Sequence, residues 1–266
     1  MRTQTALLLL SLTAFSCEEV VTDEPLPYVE RLVVSGVVEA HAVFTTVIVT
    51  RTLPPGEAFD FSRYSVSGAV VRISTNGSMY VLGEVRSGEY RTSLPASEGE
   101  TFALTVQWKG LTAVASTRIP TAPVVDTAII TVNPAESPAV QLTGIVTPVA
   151  GVAYGETFEI RRPGRIDPRG AFGSLLRAQD QREDGRIHLV ERYSGLDAGP
   201  NDRVFAVIHA YDEPFYRYFV SRGAGEVGDN GVLAQFGGST SWNVTGDGIG
   251  IFVGKSTATK QAVIIR

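Results

Sequence analysis

The sequence is poor in the residues that most often carry chemistry. Of its 266 residues, one is cysteine and three are histidine. A single cysteine excludes both an internal disulfide and a dithiol redox pair. The histidines, His41, His188 and His209, stand far apart, and none lies at metal-ligand spacing from Cys, Asp or another His, so no zinc site is expected. Positive charge is scarce as well. A net charge of -5 and a pI near 5.3 leave no electrostatic footprint for nucleic acid. Gly-x-Ser-x-Gly is absent, no apolar run beyond residue 16 is long enough to span a membrane, and no long stretch repeats its apolar residues at helical spacing. Together these absences predict no catalytic residues, no metal and no cofactor.

The residues present speak first at the N-terminus. Arg2 supplies a positive charge, and Ala6 to Phe15 form an apolar run well short of the roughly 20 residues that a spanning helix needs. Residues 1–16 therefore read as a secretory signal. The run ends Ala14-Phe15-Ser16-Cys17, which resembles the lipobox of bacterial lipoproteins, with Ala in place of Leu at the third position before the cysteine. Cys17 is expected to be the lipidated first residue of the mature protein. A thiol carrying lipid needs no disulfide partner, and each buried methylene contributes about 0.8 kcal/mol, so two or three acyl chains hold firmly where one would be marginal. Glu18 and Glu19 resemble a signal for export to the cell surface. Residues 17–27, acidic and proline-bearing, read as an extended tether. The expected location is the outer membrane, on its periplasmic or extracellular face.

Beyond the tether, 27 Gly and 14 Pro punctuate β-branched runs of strand length, which predicts a mostly β protein. Residues 28–123 read as a β-sandwich domain of immunoglobulin-like or transthyretin-like type. Arg31–Glu39 and Phe44–Thr50 suggest paired strands, Asn76-Gly77 a tight hairpin, and Phe102, Leu104, Val106 and Trp108 one face of a half-buried strand. Residues 124–266 read as a second β-rich domain with one short helix. Asp212 is its candidate N-cap, Pro214 sits in the first turn, and Phe215, Tyr218, Phe219 and Arg222 follow at helical spacing before Gly223. Separate final strands are expected over Gly248–Lys255 and Gln261–Arg266, with Gly246, Gly248 and Gly250 allowing a tight turn into them.

Candidate sites are few. Tyr211, Tyr216, Tyr218 and Trp242 offer a possible ligand or partner surface, since aromatic faces supply rigid apolar area. Such residues more often simply fill a core. Carboxylates recur in Gly- and Arg-containing turns, and Glu183-Asp184 is the first pair to test for hydrolysis, which requires two carboxyl groups held roughly 5 to 9.5 Å apart. Asp126-Thr127-Ala128 resembles a bacterial O-glycosylation motif at the domain junction.

Several segments taken together resemble one family: the lipobox, Arg31-Leu-Val-Val-Ser-Gly36, Val66-Ser-Gly-Ala-Val-Val-Arg-Ile73, Ser87-Gly-Glu-Tyr90 and Trp108-Lys-Gly-Leu-Thr-Ala113. Val204 to Tyr211, Tyr216-Arg-Tyr-Phe-Val-Ser221 and Gly246-Asp-Gly-Ile-Gly-Ile-Phe252 extend the likeness. The family is the Bacteroidota lipoproteins catalogued as domain of unknown function 4249, often encoded beside TonB-dependent outer-membrane receptors. Segment 161–192, rich in arginine, departs from the pattern and reads as an insertion or loop. The resemblance implies a non-enzymatic, lipid-anchored accessory whose partners are the membrane, through its lipid, and a TonB-dependent receptor. A fimbrial subunit activated by cleavage after an arginine such as Arg31, and a surface glycan hydrolase, are the alternatives.

Overall fold

The computed structural model describes residues 28–133, 135–170, 173–196, 198–199, 201–226 and 240–265. The protein is mostly β, built as two sandwich-like lobes. The first holds β1 (Leu32–Glu39), β2 (Thr45–Arg51), β3 (Val70–Thr75), β4 (Ser78–Arg86), β5 (Glu89–Thr92), β6 (Thr101–Trp108) and β7 (Leu111–Arg118), with a single helical turn, α1 (Phe61–Tyr64), between β2 and β3. Alternation decides which side chains face inward. Phe102, Leu104 and Val106 of β6 are buried with Ile73, Leu32 and Val34, while the residues between them face out. Asn76-Gly77 turns β3 into β4 with positive φ at both residues, as its two-residue hairpin requires.

The second lobe holds β8 (Val124–Val132), β9 (Val140–Thr147), β10 (Ala153–Arg162), β11 (Arg165–Arg169), β12 (Leu176–Arg177), β13 (Ile187–Tyr193) and β14 (Arg203–Tyr211). Helix α2 (Glu213–Glu226) and strands β15 (Thr245–Gly246), β16 (Gly248–Gln261) and β17 (Val263–Ile265) complete the chain. One layer runs β11-β10-β14-β16 and the other β13-β9-β8-β17. Tyr154, Ile160, Ile187, Leu142 and Ile130 fill the space between them.

β16 joins the lobes. Its first half lies parallel to β1, Leu32 opposite Gly248 through Glu39 opposite Lys255. Its second half lies antiparallel to β14, Tyr211 opposite Lys255 through Phe205 opposite Gln261. Val244 and Phe252 thus belong to the first core although they lie more than 120 residues past its last hairpin strand. The glycines read as a turn signal have a packing role as well. Gly250 has φ +129, and a Cβ there would stand 1.9 Å from the Val34 carbonyl oxygen, so only glycine admits this approach of β16 to β1.

Three expectations change. The strand expected over Gly248–Lys255 runs on to Gln261 as β16, and the strand expected over Gln261–Arg266 is the short β17, Val263–Ile265. The helix passes Gly223 to end at Glu226; a glycine costs only about 1 kcal/mol against alanine in a helix, too little to fix its end. Segment 161–192 is not a plain loop: it contains β11, β12 and most of β13, with Arg162, Arg165 and Arg169 ion-paired to Asp167.

Candidate functional site: the aromatic shelf and cleft around α2

Helix α2 starts where β14 leaves the sheet, and Asp212 sets its position. This carboxylate is buried; it accepts from the Phe215 N–H as an N-cap and from the Thr117 hydroxyl on β7. Backbone N–H groups of Arg118 and Gly254 also donate to it. One side chain therefore ties the helix to strands of the first lobe. Burial pushes its pKa up to about 6, against the opposing hydrogen bonds. Beside it opens a cleft of about 490 Å³ between the lobes, walled by Thr117, Pro120, Val149, Val152 and Pro214.

The sequence-predicted aromatic residues divide here. Tyr211 is buried and stacks on Phe215, centroids 4.2 Å apart; Phe215 meets Tyr218 at 6.2 Å, and Tyr218 meets Trp242 at 5.4 Å. Trp242 is held near the helix by its neighbour Ser241, whose N–H donates to the Ser221 hydroxyl at 2.8 Å, yet its ring is 41 % exposed. A shelf of rings thus runs from core to solvent. Tyr216 points elsewhere, beneath the Arg177 guanidinium at 3.7 Å, and Arg177 also reaches Glu213 at 3.3 Å. Phe215 is the link that ranking by residue type missed. Its helical spacing from Tyr211 and Tyr218 was the available signal.

Of the remaining described candidates only His209 borders the shelf, its ring 6.2 Å from that of Tyr211. His209 shares a 2.9 Å hydrogen bond with the Thr157 hydroxyl; burial, followed by the charge of Lys255, pushes its pKa down to about 4, so the ring is neutral at ordinary pH. Lys255 pairs with Glu39 at 3.2 Å. Glu183 and Asp184 sit in an exposed turn remote from the cleft lining, and Asp184 is 2.7 Å from His188, whose hydrogen bond holds the carboxyl below its usual range. His41 is exposed beside Glu98 at 4.0 Å. Asp126-Thr127-Ala128 spans a bulge in β8, with Asp126 paired to Arg186 at 2.7 Å. Among the described residues, no three His, Cys, Asp or Glu gather as metal ligands. Cys17, with the leader and the tether, lies outside the described residues.

One buried acid escaped the sequence reading. Glu156 is fully buried in the second core, accepts from the Gly144 N–H at 3.2 Å, and has its pKa pushed up to about 8 by burial. It enters the core beside Gly144, where a Cβ would stand 2.3 Å from its Oε1.

The sequence profile described as "Domain of unknown function (DUF4249)" matches residues 18–151, just over half of the chain, from the tether through the first lobe to the loop before β10. The chain belongs to this family. No curated protein matches it. Solved structures that align with this DUF4249 chain include a cytokine receptor complex, 14 % identical over 69 % of this chain and 86 % of that one, with a TM-score of 0.25. A DUF4785 family protein from Legionella pneumophila is 12 % identical over 68 % and 52 %, at 0.22. Three N-terminal domains of the highly immunogenic outer capsid protein of bacteriophage RB49 are 12 % identical over 88 % and 70 %, at 0.24. At such scores none of them bears on function.

Proposed function

We propose that this chain is a non-enzymatic, lipid-anchored binding protein of the outer membrane, cleaved after residue 16, acylated at Cys17, and serving as an accessory of a TonB-dependent receptor. The observation that carries the reading is Cys17: the sole thiol stands directly after a small residue and an apolar run too short to span. The direction of β1 supports it. From the tether end at Leu32 to Glu39 the strand covers about 23 Å, and α2 joins the fold at the far end, where Tyr211 pairs with Lys255. The start of α2 then stands off from the tether end, and the shelf runs back from it to Trp242, whose neighbour Asn243 bonds Gly250 and Phe252 opposite Val34 and Gly36, along a side of the protein where a receptor or its ligand can reach it.

Cleavage after Arg31 removes no described strand, since β1 begins at Leu32, so no observation here favours the fimbrial reading. The test is Cys17→Ser expressed in a bacterium that acylates lipoproteins. Wild-type protein is expected in the detergent phase with an acylated N-terminus and in company with a TonB-dependent receptor; the variant is expected in the aqueous phase. Wild-type protein with an unmodified Cys17, or one recovered without a receptor from membranes that contain it, overturns the respective part of the reading.

A further inference from the structure

At the end of the second lobe farthest from β1, the outer face of the sheet holds an arrangement that a solvated surface does not need. Arg161 on β10 and Arg203 on β14 stand directly opposite each other. Like charges in that position are destabilising. Their surroundings fix one guanidinium and leave the other available. Arg161 lies 3.8 Å over the Phe205 ring and is held by Glu159, its Nε donating at 2.6 Å. Arg203 engages no carboxylate among the described residues.

A third arginine is placed by acids behind the face: Arg162 donates from Nε to Asp202 and from Nη1 to Asp167, each at 3.1 Å. Arg165 and Arg169 share Asp167 too. Among the described residues, Arg161, Arg162, Arg165 and Arg169 pair with Glu159, Asp167 and Asp202, and Arg203 with none of these, in a chain whose net charge is -5. This arginine-rich end borders a depression of about 360 Å³ lined by Arg161, Arg162, Pro163, Asn201, Arg203 and Phe205. A ring beneath the Arg161 guanidinium, the Glu159 carboxylate that fixes it and the Arg203 fork across the strand suit an incoming oxyanion.

We propose that this depression binds the phosphoryl group of a phosphorylated ligand, clamped between the guanidinium groups of Arg161 and Arg203. A tetrahedral dianion offers oxygens to both forks at once and cancels the repulsion between them. Asn201 at the rim supplies a further amide donor. The site faces away from the tether: β16 is 14 residues long, about 43 Å from Gly248 to Gln261, and the arginines flank its far end.

The test is calorimetric titration of residues 28–266 with inorganic phosphate at constant ionic strength, with chloride and acetate as controls, alongside sedimentation with phosphatidylglycerol or phosphatidylcholine vesicles. Saturable phosphate binding is expected, weakened about tenfold or more in Arg203→Gln and in Arg161→Gln, each of which loses a charge-assisted hydrogen bond. Arg72→Gln, on the first lobe, should bind as wild type. Without phosphate, Arg203→Gln should melt no lower than wild type, because it removes the repulsion, and this separates loss of the ligand from loss of the fold. Binding to phosphatidylglycerol vesicles alone would place the phosphoryl group on a lipid, and binding to phosphate alone on a soluble ligand; either supports the site. Absence of both responses in wild type, or responses that survive in both variants, overturns it.

Discussion

Glu156 stands in the middle of an apolar core with Gly144 as its hydrogen-bonding neighbour, and its pKa near 8 leaves it protonated at neutral pH. The sign of its effect follows. Because the folded-state value lies above the unfolded one, folding is most favoured below the unfolded pKa, and stability falls as pH rises until it levels off above about 8. Glu156→Gln keeps the shape and has no proton to lose. In urea melts, wild type and variant should lie close together near about pH 5 and diverge to as much as about 5 kcal/mol in favour of the variant near about pH 9. Parallel pH profiles would show that the carboxyl is not buried in this way. The neighbour is tested separately: Gly144→Ala should destabilise the second lobe by about 1–3 kcal/mol, as overpacking does, and the loss should shrink, without vanishing, in a Glu156→Ala background, where the carboxyl clashes are gone and the Ile208 Cδ1 contact at 2.8 Å remains. Neither residue was legible in the sequence, because an acid in Gly-Glu-Thr-Phe looks like a turn residue until the strand's register turns it inward. Alternation was legible, which is why Phe102, Leu104 and Val106 were placed correctly.

At the scale of the element, local signals were the readable ones. Asn76-Gly77 and Asp212 with Pro214 each act within a few residues, and each marks a boundary in the structure. Pairing across more than 200 residues leaves no such mark. β16 looks shorter in the sequence, ending at Lys255, because its polar second half departs from the apolar pattern of its first, yet the strand runs without interruption from its place beside β1 to its place beside β14. The aromatic shelf was half legible: Tyr211, Tyr218 and Trp242, grouped by residue type, do lie on it, whereas Tyr216 of the same group turns to Arg177 and Phe215 supplies the missing link. Its consequence is testable. Trp242→Ala removes a ring that is 41 % exposed, so the melting temperature should change little, and binding to a receptor or ligand should fall severalfold if the shelf is the contact. Tyr211→Ala removes a buried, stacked ring and should instead cost about 3–5 kcal/mol of stability. Equal binding by Trp242→Ala and wild type in a pull-down would remove the shelf from the reading.

At the scale of the whole molecule, the composition shows a β-rich chain and its turns suggest a sandwich followed by a second β-rich domain, but shared parts decide how the two lobes unfold. β16 supplies Phe252 to the first core and pairs with β14 in the second lobe, and Asp212 of the second lobe accepts from Thr117, Arg118 and Gly254. Neither lobe can lose these contacts without leaving the other incomplete. Residues 28–266 should therefore unfold in one transition, seen alike by far-ultraviolet circular dichroism and by the fluorescence of Trp108 and Trp242, which report the first lobe and the junction. Residues 28–123 expressed alone lack the strand that lies beside β1, exposing its edge and the apolar cavity left by Phe252, and should stay unfolded or aggregate. Asp212→Ala provides the gentler perturbation. It removes a helix cap and leaves Thr117 and two backbone donors unsatisfied, a loss of about 2–4 kcal/mol. If the lobes are coupled, both tryptophan and backbone signals shift down together in that variant. Two separated transitions, with only one displaced by Asp212→Ala, would show that the lobes stand independently despite the strand they share.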